Sequence, residues 1–215
     1  MHAFFTTFPR KFARCFSPAI LPWHLAAIAI SAVSVLSGFD GAWFRFMAPV
    51  RMALFSAAVI GGLLPIVLPI ALLLFGAATR SARTARIAWT IAQAELIGML
   101  LSFFYKAFTG RAHPDLSGGT ADISRVFHFG ILKGGVFWGW PSSHTTVSFA
   151  LAGVLWALFP KNRLLKAAAL LYAFFIGIGV SVSIHWFSDF AAGAIFGWIA
   201  GRVAGADASL QQKSV

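Results

Sequence analysis

The sequence has few charged residues and a single cysteine. Charged residues occupy 11% of the 215 positions and hydrophobic residues 59%, whereas an ordinary soluble domain carries about 25% charged residues. This excludes a soluble globular domain. A chain with 23 Phe and 8 Trp also has too little polar surface to remain disordered. Cys15 has no second cysteine to pair with, so an intramolecular disulfide is excluded. The remaining class is an integral membrane protein.

Acidic residues are scarce as well. Six Asp and Glu stand against 17 Lys and Arg, which gives a net charge of +11. Such an excess can indicate a nucleic-acid binder, but here the cations stand in small groups between long apolar runs. We therefore interpret them as signals of membrane topology and expect no nucleic-acid partner. No Cys/His cluster has the spacing of metal ligands, so no structural zinc is expected.

The apolar runs predict an all-α integral membrane protein. A bilayer core needs about 20 mostly apolar residues per helix, and six runs approach this length. They predict a six-helix bundle over residues 21–205, preceded by a basic and aromatic segment over 1–20 and followed by a cytoplasmic tail over 206–215. The predicted spans cover residues 22–39, 52–77, 87–108, 143–159, 164–184 and 186–203.

The distribution of cations predicts the orientation of the chain. The side that contains both termini carries 11 of the 17 Lys and Arg, so the positive-inside rule places both termini in the cytoplasm. Residues 10–34 also resemble a secretory signal, but their apolar run exceeds the usual 7 to 15 or so residues. We expect the first fifteen residues to lie along the inner membrane surface, with a floppy tail as the alternative.

Three groups of polar residues follow or precede predicted spans on the extracytoplasmic side, where they predict one active site between helices. In the first group, Lys106, Arg111 and His113 offer cations for an anionic substrate, or alternatively anchor a helix end at the interface. In the second, Ser142 and Ser143 open a helix whose first-turn N–H groups suit a phosphate. Ordinary helix capping is the alternative there.

The second and third groups also contain the residues of an acid–base catalyst. His185 and Asp189 are four positions apart, so they share one helical face if the last helix begins there. A carboxylate bonded to one ring nitrogen fixes the tautomer and leaves the other nitrogen free to attack. His144 supplies a second imidazole that helix capping does not need. Together with the cations, these residues predict phosphoryl transfer without a metal.

These motifs resemble those of the type 2 phosphatidic acid phosphatase superfamily, the lipid phosphate phosphatases. The family signatures are Lys, six residues, Arg-Pro; then Pro-Ser-Gly-His; then Ser-Arg, five residues, His, three residues, Asp. They appear here as Lys106 with His113-Pro114, as Pro141-Ser142-Ser143-His144, and as His185 with Asp189. The resemblance implies that His185 attacks phosphorus, Asp189 orients it and His144 protonates the leaving oxygen. It also implies that Lys106 and the backbone near Ser142 and Ser143 hold the phosphate, with no metal or cofactor.

The sequence departs from the family pattern at four positions. His113 replaces the arginine of the first signature and Ser143 replaces a glycine of the second. In the third signature, Ile178 and Gly179 replace the serine and the arginine before His185. Losing an arginine that binds a phosphoryl group can cost several kcal/mol. Either another cation replaces it, with Arg111, Arg125 and Lys133 as the candidates, or the activity is weak or altered.

Glu95 lies outside the family pattern, in the middle of a predicted span. A glutamate at this depth must be neutral or paired. We expect it to bond to a neighbouring helix, with a role in proton or substrate movement as the alternative.

The sequence therefore predicts a membrane enzyme of lipid metabolism. The expected reaction is hydrolysis of a lipid phosphomonoester or pyrophosphate at the outer face of a bacterial inner membrane, through a phosphohistidine. One alternative is a phosphotransferase that passes the phosphoryl group to a lipid or sugar hydroxyl. Another is a non-catalytic protein that binds lipid phosphates.

Overall fold

The computed structural model describes residues 2–116 and 122–211. Within these residues the regular structure is helical, apart from one isolated antiparallel bridge between Arg111 and Phe127. A 3₁₀ turn over Ala48–Val50 precedes the fourth α-helix. The α-helices are α1 His2–Arg14, α2 Leu21–Leu36, α3 Phe39–Phe46, α4 Arg51–Leu54, α5 Ser56–Ala78, α6 Ala82–Thr109, α7 Ser143–Leu158, α8 Arg163–Ser181 and α9 Phe187–Gln211.

Several helices are apolar and long enough to cross a membrane. Ala48–Ala78, Ala82–Thr109 and Arg163–Ser181 meet this criterion within the described residues, and α7 is a shorter apolar helix. A fourth span results if α2 and α3 are counted as one bent span. These helices make the chain an all-helical integral membrane protein, while the count of six crossings stays a prediction.

The first and last predicted spans differ from the observed helices. The predicted span 22–39 breaks after Leu36, because Gly38 adopts a left-handed φ of 75° and α3 turns by 73° from α2. After this turn α3 contacts α9, where Asp40 accepts hydrogen bonds from Ser188. At the other end of the chain, α9 runs to Gln211, beyond the predicted limit at 203. Residues 212–215 of the predicted tail, including Lys213, lie outside the described residues.

The amino-terminal segment is a helix that packs against the bundle. Lys11 Nζ donates to Gln93 Oε1 at 2.7 Å and to the Ala204 carbonyl at 2.9 Å. These contacts place α1 beside the start of α6 and near the carboxyl end of α9. A floppy tail is therefore not what the structure shows, whereas the position of α1 on the inner membrane surface stays a prediction.

A stripe of glycines joins α9 to α7. At each of the four positions a Cβ atom would collide with the backbone or a side chain of α7 or with the residue that caps it. Small residues at every fourth position let two membrane helices approach closely. The contact fixes the start of α9 against the start of α7, where the second and third polar groups lie. The glycines are Gly193, Gly197, Gly201 and Gly205.

Candidate active site

The three polar groups meet at one end of the bundle. The His185 ring lies 4.9 Å from the His113 ring and 6.2 Å from the His144 ring, measured between centroids. Lys106 lies close enough to interact electrostatically with Asp189 and with all three imidazoles. The carboxyl end of α6, the amino end of α7 and the amino end of α9 bring these groups together.

His185 and Asp189 form a hydrogen-bonded pair. His185 Nδ1 lies 3.2 Å from Asp189 Oδ2, which also accepts the Trp186 backbone N–H at 3.1 Å. Both side chains are buried. Because a carboxylate accepts a hydrogen bond, this geometry places the proton of neutral His185 on Nδ1 and leaves the lone pair on Nε2.

His185 is held in its neutral form. Burial lowers the pKa of His185 from 6.5 to about 3, although the hydrogen bond to Asp189 opposes that shift. A neutral imidazole retains the lone pair that a nucleophile needs.

Arg111 is fully buried, and all of its donors are used within the protein. Nε and Nη2 donate to the Ser124 carbonyl, Nη1 donates to Ser188 Oγ and to Asp189 Oδ1, and Nη2 also donates to Asp40 Oδ2. A guanidinium has five N–H bonds, so none remains for a substrate. This differs from the expectation that Arg111 contacts phosphate: it holds the carboxylate of Asp189.

Asp40 and Ser188 also belong to this cluster, and the motif analysis missed both. Asp40 Oδ1 accepts the Ser188 N–H at 2.9 Å, and its Oδ2 accepts the Ser188 hydroxyl at 2.6 Å. Asp40 lies on α3, far in sequence from the three polar groups. The available signal was the scarcity of acids: Asp40 is one of six in the chain, beside the end of an apolar run.

His113 is a neutral hydrogen-bonding group in this structure. The Gly139 N–H donates to His113 Nε2 at 3.1 Å, so the proton of the neutral ring is on Nδ1. Burial lowers the pKa of His113 to about 4. The expected third cation is therefore absent from the first polar group at neutral pH, and His113 offers an N–H donor instead.

The backbone of Gly139 passes directly beside Arg111. Gly139 has a φ of 97°, and a Cβ atom there would collide with the Arg111 backbone. Glycine is suited to both requirements, since it adopts positive φ without a steric penalty. The loop before α7 is thereby fixed against the residues that follow α6.

Ser142 caps α7, as the alternative interpretation held. Its Oγ accepts the Thr145 N–H at 3.4 Å, and its own N–H donates to the Asp189 carbonyl at 3.1 Å. Ser143 Oγ pairs with Ser102 Oγ at 2.9 Å. Both serines therefore position the start of α7, and the first-turn N–H groups of Ser143 and His144 are the backbone donors suited to an anion.

His144 is in the first turn of α7, and its side chain lies against α5. Its Nδ1 is buried and has no hydrogen-bond partner among the described residues. A Cβ atom at Gly62 would stand 3.7 Å from His144 Nε2. The glycines of α5 thus leave space for the imidazole.

Lys106 is a cation that interacts electrostatically with all three imidazoles. Its side chain is buried, and its Nζ donates one hydrogen bond to the Phe137 carbonyl at 3.2 Å. An ammonium group has three N–H bonds. Lys106 therefore retains donor capacity that Arg111 lacks.

The missing arginine has a steric explanation. Gly179 packs against α4 and α5, and a Cβ atom there would collide with Ala57 and with the Leu54 carbonyl. Arg125 and Lys133, two of the cations that were candidates to replace the missing arginine, are exposed. Arg125 donates to the carbonyls at the end of α2, and the Lys133 side chain lies along Gly130. Among the described residues, neither is brought into the histidine cluster.

Glu95 is buried in the middle of α6. Its Oε1 has no hydrogen-bond partner in the described part of the chain, so the expected bond to a neighbouring helix is not seen at that atom. Tyr172 of α8 lies within electrostatic range of it.

An apolar groove of about 470 Å³ lies between α2, the end of α6 and the loop before α7. It is lined by side chains such as Ile28, Tyr105 and Trp140 and contains none of the three histidines. Among residues 2–116 and 122–211, no group of three His, Cys, Asp or Glu side chains is arranged to hold a metal ion.

The PAP2 superfamily model matches residues 84–208. The chain belongs to the PAP2 superfamily. The match contains all three polar groups but neither α3 nor Asp40, which precede it. This confirms the family resemblance inferred from the motifs.

One solved structure to which this chain is similar is described as the "first transmembrane PAP2 type phosphatidylglycerolphosphate phosphatase from Bacillus subtilis". It is 16% identical, has a TM-score of 0.49, and the alignment covers 98% of this chain and 95% of that one. The sequence matches no curated protein. Membership of the PAP2 superfamily supports a phosphatase, and the long apolar helices make the protein an integral membrane protein.

Proposed function

We propose that this PAP2 protein hydrolyses a lipid phosphomonoester or pyrophosphate through a phosphohistidine on His185, without a metal ion. The observation that carries the proposal is the His185–Asp189 pair, with Nδ1 of the ring bonded to the carboxylate and two further imidazoles beside it. This is the arrangement of an oriented nucleophile with a neighbouring acid–base group.

In the first step, His185 Nε2 attacks phosphorus and the bond from phosphorus to the lipid or phosphate oxygen breaks. His144, protonated when the phosphate anion is bound, gives its proton to that oxygen. The His185 ring becomes positively charged, and Asp189 stabilises it through Nδ1–H. In the second step, neutral His144 takes a proton from water, the water oxygen attacks phosphorus, the P–N bond breaks, and inorganic phosphate leaves.

Three kinds of donor hold the phosphate oxygens in this scheme. They are the Lys106 ammonium group, the Nδ1–H of neutral His113 and the first-turn N–H groups of α7. Fixed donors of this kind stabilise charge as it develops on a transferring phosphoryl group. Arg111 acts through Asp189, since its own donors are already bonded to protein.

The reaction takes place at the outer face of the inner membrane in this proposal, with both termini in the cytoplasm. The excess of cations on the side of the termini supports this orientation. The contact of Lys11 with Ala204 also supports it, because Ala204 lies towards the carboxyl end of α9 and His185 precedes its amino end. The substrate partner is a lipid phosphate within the bilayer.

Phosphate release by detergent-purified protein tests the proposal. The substrates are phosphatidic acid, phosphatidylglycerol phosphate, a polyprenyl pyrophosphate, a sphingoid phosphate and lipid A, each with a chelator present. We expect release from at least one of them and its loss in His185→Ala and His144→Ala. His128→Ala, a change at an exposed histidine, is the matched control and retains activity.

Each other outcome points to a rival function. A phosphorylated acceptor with little free phosphate indicates a phosphotransferase. Binding of lipid phosphate without turnover, unchanged by His185→Ala, indicates a binding protein. Release that needs a divalent metal, or that survives both histidine substitutions, contradicts the mechanism.

A further inference from the structure

We propose that Asp40 is a positioning residue for catalysis, which acts on Asp189 through the buried guanidinium of Arg111. This inference rests on the proposed function, because it assigns Asp40 a part in the phosphoryl transfer by His185. Asp40 precedes the region that the family model matches.

The contacts form a continuous chain from Asp40 to the nucleophile. Arg111 Nη2 donates to Asp40 Oδ2 at 2.6 Å, and Nη1 donates to Asp189 Oδ1 at 2.6 Å. The other oxygen of Asp189 accepts from His185 Nδ1. Because Arg111 takes Oδ1, the carboxylate presents Oδ2 to the imidazole and cannot rotate without breaking a charged hydrogen bond.

Asp40 adds a negative charge to this cluster, because Arg111 and Asp189 alone would cancel. Arg111, Asp40 and Asp189 are all 0% exposed, so water does not screen them. With both acids ionised, one cation is shared between two carboxylates. If Asp40 were neutral, the whole charge of Arg111 would act on Asp189, and Asp189 would have less negative charge to offer His185.

The negative charge that Asp189 offers to His185 matters most in the transition state. His185 gains positive charge when Nε2 bonds to phosphorus, and Asp189 stabilises that charge. In the ground state the imidazole is neutral, since burial keeps its pKa low. Asp40 therefore affects the chemical step more than the binding of the phosphate, which Lys106 and the backbone of α7 hold.

A structural role is the rival explanation. Asp40 also accepts the Ser188 N–H in the first turn of α9, and an acid at that position stabilises a helix by capping it. If capping were the whole role, the effect of losing Asp40 would not depend on Arg111.

A double-mutant cycle separates the two explanations. We expect Asp40→Asn to lower kcat by roughly 10- to 100-fold with KM changed by less than about 2-fold. Arg111→Met leaves two buried carboxylates facing each other without a cation, so kcat falls further, by roughly 1000-fold or more. The double variant should be more active than Arg111→Met, because it removes one of those carboxylates. Arg163→Met, a change at an exposed arginine, is the control and keeps its kcat.

The proposal for Asp40 is overturned if the double variant is less active than Arg111→Met, or if Asp40→Asn raises KM and leaves kcat unchanged. If Arg111→Met does not yield folded protein, Arg111→Lys takes its place. In that cycle the effects of Asp40→Asn and Arg111→Lys must be non-additive, and simple multiplication of the two losses overturns the proposal. The first measurement is phosphate release by the wild type and by His185→Ala. If the wild type releases no phosphate, or if His185→Ala releases as much, the proposed function is refuted, and the inference with it.

Discussion

Two long apolar segments follow one another in the chain and have different surroundings. In Ala48–Ala78, which contains α5, 17% of the most apolar stretch is buried, compared with 50% in α6. The buried residues of α5 are small or are prolines, for example Gly61, Pro65 and Pro69. Those of α6 include Glu95, Ser102 and Lys106.

The comparison shows how the protein accommodates polar groups in a membrane. Exposed polar side chains are costly in lipid, so the polar residues of α6 are on its buried side, against α7 and α9. The buried side of α5 makes space instead, for His144 at Gly61 and for α8 at Ala57. We therefore expect substitutions in α6 to affect activity, and those on the buried side of α5 to act through packing.

Among the changes that test this difference between α5 and α6, we expect the largest loss of activity at Lys106. Lys106→Met keeps most of the side-chain length but removes the cation that interacts with all three histidines, so we expect phosphate release to fall by roughly 100- to 1000-fold. Leu74→Ala, at an exposed position of α5, is the matched control and should alter the rate little. Equal losses of phosphate release in the two variants would contradict the proposed difference between α6 and α5.

A second prediction tests whether α5 acts through packing. Gly179→Arg restores the residue type of the family signature, but its side chain meets Ala57 and the Leu54 carbonyl. We expect a lower Tm in detergent and no gain in activity, because overpacking a close helix contact is destabilising. Gly62→Ala places a methyl group at an ordinary contact distance and should change Tm far less. A more active and equally stable Gly179→Arg would show that the contact is open to an arginine.

The smallest predicted effect concerns the pH dependence of stability. His113 is neutral in the folded protein because burial lowers its pKa to about 4, whereas an unfolded chain takes up a proton near its ordinary value of about 6.5. Its contribution is therefore fully present above about pH 6.5 and is lost as the pH falls to 4. We expect Tm to drop less between pH 7 and pH 5 in His113→Gln than in wild type. His128→Gln, at an exposed position, should behave as wild type does, and an unchanged slope in His113→Gln would contradict the assignment.

The sequence predicted the elements of the site better than their connections. The end of α6 at Gly110, the start of α7 at Ser143 and the pairing of His185 with Asp189 all follow from local rules for caps and helical spacing. Such rules depend on neighbours in the chain. They were therefore visible without a structure.

The role of Arg111 was not predictable in this way. Its partner Asp40 comes from a helix that exists because Gly38 turns the chain by 73° after α2, where the apolar run suggested one continuous span. Gly179 likewise looked like a missing phosphate ligand, until the contact with α5 showed that a side chain does not fit. Both features depend on tertiary contacts between distant segments, which periodicity and motif spacing do not contain.

Trapping of the phosphorylated enzyme tests the central claim most directly. Purified protein is mixed with a lipid phosphate substrate labelled in the phosphoryl group and quenched under alkaline conditions within a fraction of the turnover time. The account predicts a base-stable, acid-labile phosphohistidine that maps to His185, forms more slowly in His144→Ala, which lacks the acid of the first step, and is absent from His185→Ala. Label on another residue, or turnover with no covalent phosphate under any of these conditions, would contradict it.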